Sequence, residues 1–370
     1  MVSNVFSLYI CIMLIKPDLQ MHFSDFAVSK RKIDMSFFDN INKLVDWNKI
    51  ETILKKNYNK GNSVDGRPAY EGILLFKITL LQTWFKLSDE GVEERINDSI
   101  KFTKFLGLSI EDSVPDHSVI SRFRKELSEK NALKKVLGEL NRQLTKHKII
   151  IKTGVLIDAS VSQSAYTPKQ PTTFEIANDR EEEDRATSEI IKEESYHEQI
   201  KKLESNGTDS EARWLKKGKK SYYGYKKHTV TNEDGLILGL TTTSANESDT
   251  RNFQPILKQL KLKKGTRVKA DKGYASSRNK EFLKEKGLKS GIQYKAVRGK
   301  VLSEREKQFN KIVSKTRYAI ERTFGSIKKW FNGGIAKYKG IARMDYQHHI
   351  EAIAYNLYRS PGLVYANAKK

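Results

Sequence analysis

The chain has 370 residues, with 68 Lys and Arg against 45 Asp and Glu, a formal net charge of +23. That length suits about two domains, and 38% hydrophobic with 31% charged residues of both signs excludes a low-complexity chain. The single cysteine, Cys11, excludes an intramolecular disulfide and a cysteine-built zinc site, and the positive excess favours a polyanion, nucleic acid first and an anionic membrane surface second.

Val5 to Ile15 is apolar but shorter than the roughly 20 residues that span a bilayer. It lacks the basic flank and small-residue cleavage site of a secretory signal. Residues 1–20 are therefore expected to be an extension outside the fold, with the functional start at Met21. Residues 36–60 predict one helix, with Phe38, Ile41, Leu44, Val45, Ile50, Ile53 and Leu54 at three-to-four spacing. A loop follows to Pro68, then a strongly apolar helix over 70–84 and two short helical pieces within 88–106. Pro115-Asp116-His117-Ser118 is a helix start, with Asp116 or Ser118 placed to cap it. A last helix over 132–147 completes an all-helical unit, residues 21–147.

The texture then changes. Ile149 to Ser160 is β-rich. Strands over 222–231 and 236–243 are joined by the hairpin signal Asn232-Glu233-Asp234-Gly235. A helix over 251–260, a strand over 266–271, a helix over 277–286 and a short strand over 290–294 follow. Long helices over 303–331 and 344–358 end the chain. This order predicts a mixed sheet flanked by helices over residues 148–360. Residues 168–212 interrupt it as a polar insertion, with 13 acidic and 5 basic residues from Glu175 to Glu211. Arg213 to Lys227 then carries seven basic residues and no acid, and Lys258 to Lys300 carries 15 basic and 3 acidic. The positive charge is clustered in this half.

Three acidic residues draw notice. Gly154-Val-Leu-Ile-Asp158 is apolar on both faces, as a central strand should be, until Asp158. A carboxylate there is costly unless it is paired, hydrogen-bonded or bound to a cation; a strand-end cap is the alternative. Arg267-Val-Lys-Ala-Asp271 repeats the pattern just before Gly273, and a turn-forming Asp is again the alternative. Arg317, Glu321 and Lys328 share one stripe of the long helix, beside an apolar stripe of Ile320, Phe324, Ile327 and Phe331. A solvated charge ladder is the plain reading of that stripe. No histidine pair has helical metal-ligand spacing, so a metal would be held by carboxylates. Two strand-end aspartates and a helix glutamate could hold a pair of divalent cations, for which oxygen ligands suit Mg²⁺ or Mn²⁺. Such a pair serves phosphodiester chemistry.

These passages resemble the DDE transposases of bacterial insertion sequences, specifically the IS5 family. The spacings are 113 residues from Asp158 to Asp271 and 50 from Asp271 to Glu321. The likeness is carried by Gly154–Ser160, Tyr223–His228, Ala245–Asp249, Ala270–Tyr274 and Arg317–Lys328. In the first half it is carried by Gly66–Pro68, Leu81–Trp84, Leu87–Asp89 and Pro115–Arg124. The family's helix signature is Tyr-x2-Arg-x3-Glu-x6-Lys; Arg317, Glu321 and Lys328 match it, and Ser314 stands in the Tyr place. The resemblance implies an α/β chain whose RNase H-like mixed-sheet catalytic domain follows an all-helical DNA-binding domain. Asp158, Asp271 and Glu321 would hold Mg²⁺, with Mn²⁺ substituting, while Lys328 and Arg317 position phosphate. The implied partner is double-stranded DNA, the element's inverted-repeat ends and the target, held by a homodimer or larger multimer. A cytoplasmic, nucleoid-associated protein with no membrane contact is expected. The rival reading is a catalytically inactive, transposase-derived DNA-binding protein; a third is a nuclease that cuts without joining.

Further DNA contacts are expected from Lys216, Lys217, Lys219, Lys220, Lys226, Lys227, His228 and Lys272. For His228 a packed strand-end residue is the alternative. Arg122 and Arg124 could read phosphate or guanine if their helix enters a major groove; ordinary packing is the alternative. Trp214 and Trp330 are candidates for base stacking or for core. Asn246 and Asp249 are expected to cap the helix before Arg251 or to order the site from behind.

Overall fold

The structure is a computed structural model and describes residues 32–58, 69–151, 153–168, 207–296 and 301–368. The N-terminal extension, Met21 as start and most of the polar insertion lie outside the described residues. The single helix expected over 36–60 is two helices, α1 (Ser36–Leu44) and α2 (Trp47–Asn57), divided by an extended Val45 and Asp46. The break is sustained from elsewhere in the chain. The Asp46 N–H donates to Gln143 Oε1 at 2.8 Å, and Gln143 Nε2 donates back to the Asp46 carbonyl at 3.2 Å. Backbone groups that a continuous helix would pair are thus satisfied by one amide side chain.

The other expected helices form within a few residues of their reading: α3 (Gly72–Phe85), α4 (Asp89–Asp98), α5 (Ile100–Leu106), α6 (His117–Glu129) and α7 (Ala132–Lys146). Asp116 caps α6 as expected, accepting from the N–H groups of Ser118 and Val119 at 2.8 and 3.0 Å.

The sheet contains β1 (Gly154–Ser164), β2 (Arg213–Lys217), β3 (Lys220–Asn232), β4 (Ile237–Ser244), β5 (Arg267–Ala270), β6 (Lys289–Ile292) and β7 (Ile335–Ala336). β1 runs antiparallel to β3 and parallel to β5, and β5 parallel to β6. β4 and β2 share the other edge of β3, β4 against Tyr225–Thr231 and β2 against Lys220–Gly224. This mixed sheet, antiparallel on one side of β1 and parallel on the other, is RNase H-like. Helices α8 (Asp249–Lys258), α9 (Ser277–Glu285) and α10 (Glu304–Phe331) accompany it. α10 opens with a Ser303–Glu306 capping box.

The last helix, α11 (Ile341–Ala368), is longer than the sequence suggests and is buried on nearly every side from Tyr346 to Leu357. It packs against α3, α6 and α7 and also against β3 and β4, so one hydrophobic core runs from Phe38 to Leu357. Several of its polar residues are bonded inside that core. His348 lies between Ser162 Oγ (3.0 Å) and Thr242 Oγ1 (2.8 Å), and Asn356 donates to the carbonyl of Ile237 at 2.8 Å. No helix among the described residues is long and apolar enough to cross a membrane.

Two outcomes follow. At Gly224 an added Cβ would lie 2.2 Å from the Ser162 carbonyl oxygen. Gly224→Ala is therefore expected to lose at least about 1–3 kcal/mol of stability by forcing β1 and β3 apart, as read by urea unfolding. Burial holds the His348 pKa well below its ordinary value, so the folded imidazole stays neutral while the unfolded one takes up a proton below about pH 6.5. Its contribution to stability should fall as pH drops below that value, by up to about 1.4 kcal/mol per unit. Unfolding measured between pH 7 and 5 should show a shallower slope in His348→Gln.

Candidate active site

Residue alternation on β1 builds the site. Leu156 packs against Ala319, Ile320 and Phe324 of α10, and Asp158, two residues on, faces the same way. The register pairs Ile157 with Ala270, which sets Asp158 beside Asp271, the next residue after β5. β1 continues to Ser164, so Asp158 is not the strand end that a capping role requires. Asp271 accepts from the Lys272 N–H at 2.5 Å and caps the short 3₁₀ turn Lys272–Tyr274. α10 is fixed by its contact with Leu156 and by two bonds to the β3–β4 turn. Thr323 Oγ1 donates to the Gly235 carbonyl, and Arg322 Nη2 to the Asp234 carbonyl, both at 2.7 Å.

The result is a convergence on Arg317. Its Nη2 donates to Asp158 Oδ2 at 2.7 Å; its Nη1 stands 3.7 Å from Asp271 Oδ1, and Nη2 3.8 Å from Glu321 Oε1. The other Asp158 oxygen accepts from the Ala159 N–H at 2.8 Å. Burial pushes the Asp158 carboxyl up, and the Arg317 guanidinium and the Ala159 N–H offset only part of that rise. Glu321 is the exposed member, and Asp158 the most enclosed.

The donor set is carboxylate oxygen alone, suited to a hard divalent ion. Two buried polar atoms here lack hydrogen-bond partners, Arg317 Nε and the Tyr274 hydroxyl. Burial and the charges of Asp249 and Asp158 hold that phenol well above its ordinary pKa, so it stays protonated. As the side chains stand, no three of His, Cys, Asp and Glu among the described residues surround one point closely enough to hold an ion. They surround the guanidinium instead. The residues thus suit a metal in chemistry and location, with Arg317 between them.

Other expected residues divide into exposed and buried. Lys216, Lys217, Lys219 and Lys220 are exposed at the tip of the β2–β3 hairpin, which is a strand pair rather than a loop. Lys272 and Arg122 are also exposed. Lys328 makes no ion pair with Asp158, Asp271 or Glu321, whose cation is Arg317. Burial lowers the Lys328 pKa, and Lys227 and Lys217 lower it further.

Four expected DNA contacts are corrected, because their side chains are turned inward. Lys227 is buried with Glu351 at 2.9 Å, each 3% exposed. Lys226 donates to the Glu247 carbonyl at 2.7 Å and pairs with Asp249 at 2.9 Å. His228 is 1% exposed and bonded to Thr243 Oγ1 at 3.0 Å; burial lowers its pKa to about 4, leaving it neutral. Arg124 grips Asp89 through both terminal nitrogens beneath the Tyr338 ring. Burial works to raise the Asp89 pKa, but that ion pair and Gln82 lower it. Trp330 packs on Tyr355 and Tyr358, and Trp214 on Tyr223. Asp249 does not cap α8: it is the helix's first residue, and Ser248 holds the cap position without a side-chain bond.

Tyr318, to which the sequence motifs assign no role, is exposed three residues before Glu321 with Arg322 over its ring. Ser314, in the Tyr place of the signature, accepts from Gln293 Nε2 at 2.6 Å. Tyr318 stands one helical turn further along the same face. That i,i+4 relation was the signal available.

Residues 152–357 match the Transposase DDE domain family, and residues 27–126 match a Transposase domain (DUF772). The chain is 33% identical over 249 residues to the transposase for insertion sequence element IS1106 of Neisseria meningitidis serogroup B, covering 67% of this chain and 79% of that one. A cryo-EM structure of the piggyBac transposase synaptic complex with hairpin DNA aligns over 91% of this chain and 81% of its own, at 11% identity and a TM-score of 0.34.

The inward turn of Lys227 has a measurable consequence. Lys227→Ala leaves the Glu351 carboxylate buried without its cation, at a cost of about 3–5 kcal/mol. Urea unfolding should show that loss, whereas an exposed DNA-contacting lysine would show almost none.

Proposed function

Because the chain belongs to the DDE-domain transposases of insertion sequences, we propose that it is an IS5-type enzyme that cleaves the ends of its element and joins them to target DNA. The observation that supports this most is the meeting of Asp158, Asp271 and Glu321, from three distant segments, around one guanidinium. Three carboxylates beside one guanidinium carry more negative charge than it neutralises, which favours a further cation among them.

In this reading Asp158, Asp271 and Glu321 hold the divalent ions, Mg²⁺ or Mn²⁺. Held there, such ions would supply activation of an attacking hydroxyl and charge stabilisation of the departing oxygen. Arg317 and Lys328 orient the scissile phosphate. Lys272 and the hairpin lysines Lys216, Lys217, Lys219 and Lys220 attract the flanking backbone, a contact that weakens with salt. Residues 21–147 bind the element ends, with Arg122 on the exposed face of α6. The partner is double-stranded DNA, bound by two or more copies of the chain in the cytoplasm.

Asp158→Asn keeps the side chain's size and removes its charge. It is expected to abolish Mg²⁺-dependent nicking of DNA carrying the element ends and to leave gel-shift binding of the same DNA intact. A variant that still nicks at the normal rate overturns the assignment of Asp158. An unaltered chain that binds ends but never nicks in Mn²⁺ supports the DNA-binding alternative. Pre-cut ends that are not joined to target DNA support the nuclease.

A further inference from the structure

We propose that Arg317 is a resident counter-cation that divalent ions must displace, so that ion entry and release of its guanidinium are one coupled event. The inference rests on the proposed metal role of the three carboxylates and adds to it a positioning residue that competes with the metal. Both Asp158 oxygens are already occupied, one by the Ala159 N–H and one by Arg317. An ion that takes Asp158 Oδ2 must therefore share it with the guanidinium or replace it.

The other two carboxylates stand at ion-pair distance from the same group and beyond hydrogen-bond reach, at 3.7 and 3.8 Å. They are attracted to Arg317 without being locked to it. The same side chains, arranged around a planar fork, leave no close three-acid cluster among the described residues. The cation in place and the missing ion cage are thus two aspects of one arrangement.

The guanidinium is held by charge more than by hydrogen bonds. Its sole hydrogen bond among the described residues is the one to Asp158, and its Nε is buried without a partner. Leaving the carboxylates therefore gives up one hydrogen bond and the charge attraction of Asp271 and Glu321, an attraction that a divalent ion bound there would take over. Lys328 does not serve as the counter-cation, because no carboxylate lies within ion-pair distance of it among the described residues and its charge is set against those of Lys227 and Lys217. Three carboxylates against one guanidinium leave two negative charges, so the site attracts a divalent ion before Arg317 moves.

A purely structural ion pair and a competitor make opposite predictions. Removing a structural support loosens the carboxylates and weakens metal binding; removing a competitor strengthens it. The test is Mn²⁺ titration of the full chain without DNA, read by the loss of the free-ion paramagnetic resonance signal. Arg317→Gln is expected to bind Mn²⁺ about tenfold tighter than the unaltered chain, the scale of one lost charge interaction in a partly buried site. Arg317→Lys keeps the charge without the fork and should fall between the two, and it carries the test if Arg317→Gln does not fold. Asp158→Asn should weaken binding. If Asp158→Asn weakens binding while both Arg317 variants bind no more tightly than the unaltered chain, the competitor is overturned and the metal reading stands. If the unaltered chain binds no Mn²⁺ that Asp158→Asn removes, the metal reading and this inference fall together.

Discussion

Negative charges repel, and a fold that draws three carboxylates to one corner must hold them against that repulsion. Here the opposing element is a single guanidinium, and its surroundings are arranged to bring it there. Parallel pairing of β1 with β5 sets Asp158 beside Asp271. Packing of Ala319, Ile320 and Phe324 on Leu156 presses α10 onto the sheet so that its Arg317 and Glu321 overhang those strand positions. Hydrogen bonds from Thr323 and Arg322 to the β3–β4 turn stop the helix from sliding. Backbone register, apolar burial and side-chain hydrogen bonding therefore agree on one place.

The same logic operates deeper in the molecule, where α11 runs between the helical layer and the sheet. A helix enclosed on all sides is ordinarily apolar, yet this one carries Gln347, His348, His349, Glu351 and Asn356 into the interior. Four of these have partners on other elements: Ile335 for Gln347, Ser162 and Thr242 for His348, Lys227 for Glu351, and Ile237 and Asn141 for Asn356, while His349 bonds back to Asp345 of its own helix. Satisfied polar groups in a core specify one arrangement more narrowly than greasy contact does. The Lys227–Glu351 pair and its neighbours tie β3 to α11.

Much of this was legible in the chain itself. The helix spacing, the Asp116 cap, the Asn232–Gly235 turn and the apolar run that Asp158 interrupts are local signals, and local chemistry decides them. The break at Val45–Asp46 was not legible, because it depends on Gln143, nearly a hundred residues away. Lys226, Lys227 and His228 read as a basic surface run because three adjacent polar residues suggest solvent. In fact β3 is covered on both faces, and each of the three has a partner that only tertiary structure provides. Arg124 misled for the same reason, since its Asp89 lies on a different helix. Of the candidate site, the three acids could be named from their places on two strands and the long helix together with the resemblance of the surrounding motifs. The place of Arg317 among them could not, because helix periodicity allows a solvated ladder equally well.

The β2–β3 hairpin carries one more implication. β4 stops opposite Tyr225, so from Gly224 outward β3 has β2 as its partner on that edge, and the two strands leave the sheet as a ribbon. At the root of the ribbon is the residue whose backbone lies too near β1 to admit a side chain. Lys216, Lys217, Lys219 and Lys220 are carried beyond that root on cross-strand bonds of their own. Their mutual spacing is thus independent of the sheet, while their heading depends on the twist at Gly224. A change of angle there would sweep all four ammonium groups together, like the tines of a fork turned by its handle.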